Sequence, residues 1–208
     1  MWSLELSTGE IVPVEVAVKR NSKSITIRPK FSPKRKISVS KPWHTSDGKV
    51  KSFLETKRAW LEKNFAENKI VDLQIGDKIT ILDNEYTIAH PSRARLARTA
   101  QQKFLAYAKK RIAEYSAAIG KKPAKLTIRD TSSRWGSCSE DGNLCFSFRL
   151  AFAPEPVARY IIAHEMAHML HFDHSPKFWA EVARIYGPGW QRQRDWLTKN
   201  GQTLYKYL

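Results

Sequence analysis

Four of the six histidines in this 208-residue chain fall within eleven positions: His164, His168, His171 and His174. His164 and His168 stand four apart in a mostly apolar run, Val157 to Leu170, whose spacing predicts a helix over about 155–171. Side chains four apart lie one above the other on one helical face. Two imidazoles so placed can both reach a single Zn²⁺ at about 2.0–2.1 Å. Glu165 follows the first of them directly. It can approach a water at the metal without occupying the metal's own coordination shell, which is what a general base requires. The plainer reading is a pair of satisfied core or surface histidines, since a His-Glu-x-x-His match can arise by chance. Against that stands the cost of burying two imidazoles and a carboxylate among Tyr160, Ile161, Ile162, Met166, Met169 and Leu170 unless they are paired or bind a metal.

A catalytic zinc takes three protein ligands and keeps one position open. The better third ligand is His174. Ser175-Pro176 reads as a helix start, with Ser as N-cap and Pro in the first helical position, so His174 sits in the connector before it and can turn back. His171 is the rival, but on the same helix it would lie about 10.5 Å along the axis from His164. Glu181, on the following helix, is a weaker candidate for a His₂Glu site. For the oxyanion of an acyl-transfer reaction the residues offer Tyr186, Arg134 and His171, with no choice among them. Trp135, Phe178 and Trp179 read as packing rather than substrate contacts.

These residues need elements to position them. Up to residue 40 the chain alternates as strands do: Ile11 to Val18, with Val12, Val14, Val16 and Val18 on one face, then Ser24–Arg28 and Lys36–Ser40 with a turn around Pro33. The period then becomes helical. Ser46 caps a helix to about Asn68, with Val50, Phe53, Leu54, Lys57, Trp60, Leu61 and Phe65 as its stripe. Residues 77–89 read as a hairpin around Asp83-Asn84, and about 94–119 as a second helix stopped by Gly120. Lys125–Arg129 is a strand, and Cys138–Phe148 a hairpin turning at Asp141-Gly142, which would set Cys138 opposite Cys145. Two further helices follow, at about 176–186 and 189–199. The expected fold class is α+β: a β-rich N-terminal region of about 1–90 with one long helix, then an α+β region of about 91–208. One compact unit also fits, since no Gly/Ser linker divides them.

Bulk properties set limits. A hydrophobic share of 42% fits a chain that buries a core. No apolar run is long enough for a membrane span and no signal peptide is visible, so the expectation is a soluble, cytoplasmic protein. The formal charge of +16 is uneven: residues 1–125 hold 26 Lys and Arg against 12 Asp and Glu, and residues 126–208 hold 10 against 8. A basic N-terminal half favours polyanions, nucleic acid included. The plainer reading is a solvated surface, since no nucleic-acid module is recognisable. Two cysteines in a reducing compartment are expected as free thiols.

His164-Glu165-Met166-Ala167-His168 followed by His174-Ser175-Pro176-Lys177-Phe178-Trp179 resembles the YgjP-like metallopeptidases, small zincins related to SprT-like proteins. Arg134-Trp135-Gly136-Ser137-Cys138, the strand Lys23-Ser24-Ile25-Thr26-Ile27-Arg28 and Lys57-Arg58-Ala59-Trp60-Leu61 extend the likeness over most of the chain. The resemblance implies a zincin-type catalytic half, zinc held by His164, His168 and His174, and Glu165 as catalytic base. It does not require a histidine at 171. The expected function is that of a zinc metalloendopeptidase acting on a protein or peptide substrate. The alternatives are a DNA-associated protease using the basic half, and a non-catalytic protein with a closed four-ligand metal site.

Overall fold

The structure, a computed structural model, describes residues 2–30, 35–67, 71–131 and 134–207. Its contacts divide an α+β chain into two compact units, Met1–Val71 with Tyr205–Leu208, and Asp72–Leu204.

In the first unit, strands β1 (Trp2–Glu5), β2 (Ile11–Lys19), β3 (Thr26–Lys30) and β4 (Lys36–Pro42) form one sheet in the order β1-β2-β4-β3. β2 and β4 run parallel; the outer pairs are antiparallel. Val12, Val14, Ile37 and Val39 fill its inner face. The valine stripe fades along β2, so that Val18 is 58% exposed. The expected turn around Pro33 lies outside the described residues.

The single helix expected from Ser46 is two, α1 (Asp47–Thr56) and α2 (Arg58–Glu67). Ser46 does cap α1, accepting from the Lys49 N–H at 3.4 Å. The break is at Lys57, whose φ of −103° and ψ of 4° leave the helical region. Its N–H donates to Leu54 O at 3.1 Å, a tightened turn that re-aims the chain. Val50, Leu54, Leu61 and Phe65 are buried as a result, whereas Trp60, predicted on the same stripe, is 45% exposed.

The second unit begins with the hairpin β5 (Lys78–Ile81) and β6 (Asn84–Thr87). Its turn is Leu82-Asp83, one residue earlier than the spacing suggests, since Ile81 pairs with Asn84. Both turn residues have positive φ, 49° and 61°, the geometry of a type I′ turn, which Asp tolerates and Leu disfavours. Tertiary bonds hold it there. The Leu82 N–H donates to Ala151 O at 2.8 Å, and Asp83 Oδ2 accepts from the Glu155 N–H at 3.0 Å. These bonds group the hairpin with the later residues, although the sequence reading set it before a boundary near residue 90.

Helix α3 (Arg93–Ile119) buries Leu96, Ala100, Phe104, Ala108 and Ile112 along one face. Against it lie the sheet β7 (Lys125–Arg129), β9 (Asn143–Ser147) and β8 (Gly136–Cys138), in that order, with Phe104 edge-on to Phe146 at 6.2 Å. A 3-10 turn, Phe148–Phe152, leads into α4 (Glu155–Ala167), then α5 (Pro176–Tyr186) and α6 (Trp190–Asn200). Among the described residues no helix is long and apolar enough to cross a membrane.

The N-cap of α4 is Pro154, which has no side-chain acceptor to offer. Asp83 supplies one from 72 residues away. Asp83→Ala is expected to destabilise the protein by about 1–2 kcal/mol, through the lost cap and the loss of a side chain that tolerates positive φ. Asp83→Gly should cost less and Asp83→Asn almost nothing. Urea unfolding checks the order; equal losses for Ala and Gly would show that the turn conformation carries no strain.

Candidate metal centre

The helix that carries the first two histidines ends early. α4 stops at Ala167, four residues short of expectation, and His168 is its C-cap with φ −63° and ψ −19°. Its last carbonyls find tight-turn partners, the Met169 N–H on Met166 O and the Leu170 N–H on Ala167 O, while Lys121 Nζ donates to Met169 O at 3.0 Å. His171 therefore leaves the helix. Its carbonyl, not its imidazole, faces the site: His168 Nδ1 lies 3.0 Å from His171 O. A carbonyl only accepts, so the proton sits on Nδ1 and Nε2 keeps its lone pair.

Ser175 occupies the N-cap of α5 with Pro176 in the first turn, as the sequence suggests, but its hydroxyl makes no capping bond. Instead its N–H donates to Asp173 Oδ1 at 3.3 Å, folding the connector so that His174 swings back. His174 Nε2 comes within 3.2 Å of His164 Nε2. One ligand atom from each of His164, His168 and His174 lies within 4.8 Å of the others.

Phe178 holds the three rings together. It is fully buried, with its ring centroid 4.9, 4.4 and 4.8 Å from those of His164, His168 and His174. Read from the sequence as packing, it packs directly on the imidazoles. The His164 Nδ1 is buried and meets no hydrogen-bond partner among the described residues, so packing rather than a hydrogen bond orients this ring, with Tyr160 edge-on at 5.9 Å. Burial, and then repulsion from its two neighbours, push His164 down to about 3; burial lowers His168 as well. Neutral imidazoles are what a metal needs. The fit is geometric too. Two nitrogens on a tetrahedral zinc at 2.0–2.1 Å are separated by about 3.3–3.4 Å, close to the His164–His174 distance.

Glu165 points into the space between α4 and the edge strand β8, where only 6% of it is exposed. Burial pushes its carboxyl up to about 8, and Arg134 pulls it partly back. Its neighbour on β8 is a glycine, Gly136, and a Cβ there would lie 2.6 Å from both Cγ and Oε1 of Glu165, so any larger residue would force the carboxylate to shift.

Other expected participants are placed elsewhere. Glu181 pairs with Arg184, Oε2 to Nε 3.0 Å. The Tyr186 hydroxyl donates to Pro156 O at 3.2 Å. Of the three oxyanion candidates, Arg134 is the one whose charge reaches Glu165. Cys138 and Cys145 are free thiols, and they do not face each other. Cys138 pairs with Leu144 and Ser137 with Cys145, because the loop is the three residues Glu140–Gly142, with Gly142 at φ 74°.

Sequence reasoning missed one wall of the site. Trp190 stacks on Trp179 at 4.7 Å and on Tyr160 at 6.2 Å, and Arg194 sits over Trp179 at 4.9 Å. Tyr160 and Arg194, with Trp135 and Gly136, line a cleft of about 290 Å³ that reaches His164 and Glu165. Nothing in the spacing of residues 190–198 ties them to residue 164; packing of α6 on α4 does.

The family model for the YgjP-like metallopeptidase domain matches residues 72–200. Among solved structures, the crystal structure of the metallopeptidase zymogen of Pyrococcus abyssi abylysin is similar, with 25% identity and a TM-score of 0.40, covering 44% of this chain and 93% of that one. Among curated proteins none matches.

If the imidazole of His174 and only the carbonyl of His171 serve the centre, their alanine variants will separate. His174→Ala should weaken zinc binding on the order of 100-fold or more, beyond what loss of a supporting hydrogen bond costs. His171→Ala should stay within about threefold, because its carbonyl remains. Competition with a chromophoric chelator measures both.

Proposed function

The chain belongs to the YgjP-like metallopeptidase family, and from that premise we propose that it is a zinc-dependent endopeptidase in which Glu165 is the general base. One observation carries the reading: three imidazole nitrogens converge within 4.8 Å, and the residue following the first of them is a buried carboxylate in the same cleft.

His164, His168 and His174 would hold the metal. A three-histidine set leaves one position open, the arrangement of catalytic rather than structural zinc. When bound, the metal supplies Lewis acidity towards the scissile carbonyl and brings the pKa of water towards neutrality. The protein does the rest. Glu165 accepts a proton from the attacking water and returns it to the leaving amine. A carboxyl raised to about 8 by burial holds that proton readily, and Arg134 favours its ionised form. Gly136 keeps the backbone of β8 clear, so the carboxylate stays beside the reacting centre. Tyr160, Trp190 and Phe178 exclude water from the rear of the imidazoles. His174 and Arg194 are exposed, so an extended chain can reach the site without presenting an end.

Glu165→Gln preserves shape and removes the base. It should keep zinc stoichiometry and lower kcat/KM on a peptide blocked at both ends by about 10²–10⁴-fold. Retention of parental rates would remove Glu165 from the mechanism. Gly136→Ala should displace the carboxylate without touching a ligand, with a loss on the order of 10²-fold and zinc still bound. Metal analysis alongside the assay separates these effects from loss of the site.

A further inference from the structure

The cleft beside the three imidazoles carries one charge that the hydrolysis itself does not use. Of the residues that line it, Arg194 alone bears a permanent positive charge. Some arginines of the protein are tied to acids, among them Arg35 to Glu10, Arg111 to Glu155 and Arg149 to Asp130. Arg194 forms no ion pair among the described residues. Its guanidinium lies instead on Trp179, 4.9 Å from the ring centroid. Stacking of this kind fixes the guanidinium plane but leaves its N–H donors unused.

The support beneath it is rigid. Trp179 is stacked on Trp190 with an interplanar angle of 7°. Trp179 is also 5.7 Å from the His164 ring, so the guanidinium is held one aromatic residue away from the metal centre. Between them the cleft is walled by Ile161, Leu197 and Trp135, apolar surface suited to a short methylene stem. The charge is local rather than part of a basic face, because residues 126–208 hold 10 basic against 8 acidic side chains. A planar, pre-oriented guanidinium at the mouth of a half-apolar cleft is built to meet a carboxylate with two parallel hydrogen bonds.

We propose that Arg194 is a specificity-determining residue that makes the cleft select substrates with a carboxylate near the scissile bond, supplied by an acidic side chain or by the end of a peptide chain. This rests on the peptidase reading of the same site.

The test is competition between peptides in one reaction, followed by mass spectrometry. One arm pairs a doubly blocked peptide containing a single Glu, walked through the positions around the cleaved bond, with its Gln counterpart. A second arm pairs the Gln peptide bearing a free C-terminal carboxylate with its amide. The parent protein should prefer the carboxylate partner in at least one arm by about fivefold, the scale of a partly exposed ion pair. The arm that responds identifies the source. Arg194→Gln should bring that ratio to about one, and Arg194→Glu should invert it in favour of a Lys peptide. The same pairs titrated against the zinc-loaded Glu165→Gln protein, read by tryptophan fluorescence, give an affinity ratio that needs no turnover. Equal affinities there, a preference that survives Arg194→Gln, or a uniform loss of rate on charged and neutral peptides alike would overturn the inference. Failure of the parent protein to cleave any peptide would count against the proposed function instead, and the binding ratios would still decide the role of Arg194.

Discussion

Everything at the centre depends on where α4 ends. A helix continued to residue 171 would carry His171 a further turn away and leave His174 too little chain to return. By stopping at Ala167 the chain places His168 at the cap, turns within three residues, and brings the His171 carbonyl onto His168 Nδ1. That one hydrogen bond fixes which nitrogen of His168 carries the proton and anchors the connector from which His174 reaches back. The C-terminal end of the helix is steadied from outside by Lys121, which follows α3 in the chain. The opposite end is steadied by Asp83, from the hairpin before α3. Both ends of the helix that carries His164 and Glu165 are therefore satisfied by side chains distant in sequence, and its position is a property of the whole second unit.

A second constraint is space. Imidazoles and a carboxylate are poor guests in an apolar interior, and the structure accommodates them by shape rather than by many hydrogen bonds. Phe178 forms a common floor for three rings, and the missing side chain at Gly136 is the volume that Glu165 occupies. Burial disfavours the charged forms of His164, His168 and Glu165, and neutral imidazoles are the state from which a metal can be taken up. The same packing explains the aromatic column Tyr160–Trp190–Trp179. It closes the rear of the site and provides the flat surface on which Arg194 rests.

Much of this was legible in the sequence because it is local. The i, i+4 spacing of His164 and His168, the Glu between them, the Ser-Pro start of α5 and the long amphipathic α3 are all set within a few residues by helical geometry and capping. So were the alternating strands of the first unit. The local readings that failed did so by small amounts with large consequences. One extra loop residue moved Cys138 from opposite Cys145 to opposite Leu144. Lys57 split one helix in two. The hairpin turn settled on Leu82-Asp83, against the conformational preference of Leu82, because Ala151 and Glu155 offer bonds there.

What the sequence determined by itself was the chemistry: a short run of residue types able to hold a divalent metal beside a base, in an α+β chain. What only the tertiary structure decided was the set of neighbours. Gly136 stands 29 residues before Glu165, and Arg194 thirty after His164; no periodicity links them. Their meeting depends on β8 pairing at the sheet edge and α6 packing on α4, and these are consequences of burying the apolar faces of many elements at once. Spacing along a chain encodes contacts within a turn or a hairpin. Contacts between elements are encoded only in the sum of packing, so the three histidines that converge could be read in advance and the cleft that surrounds them could not.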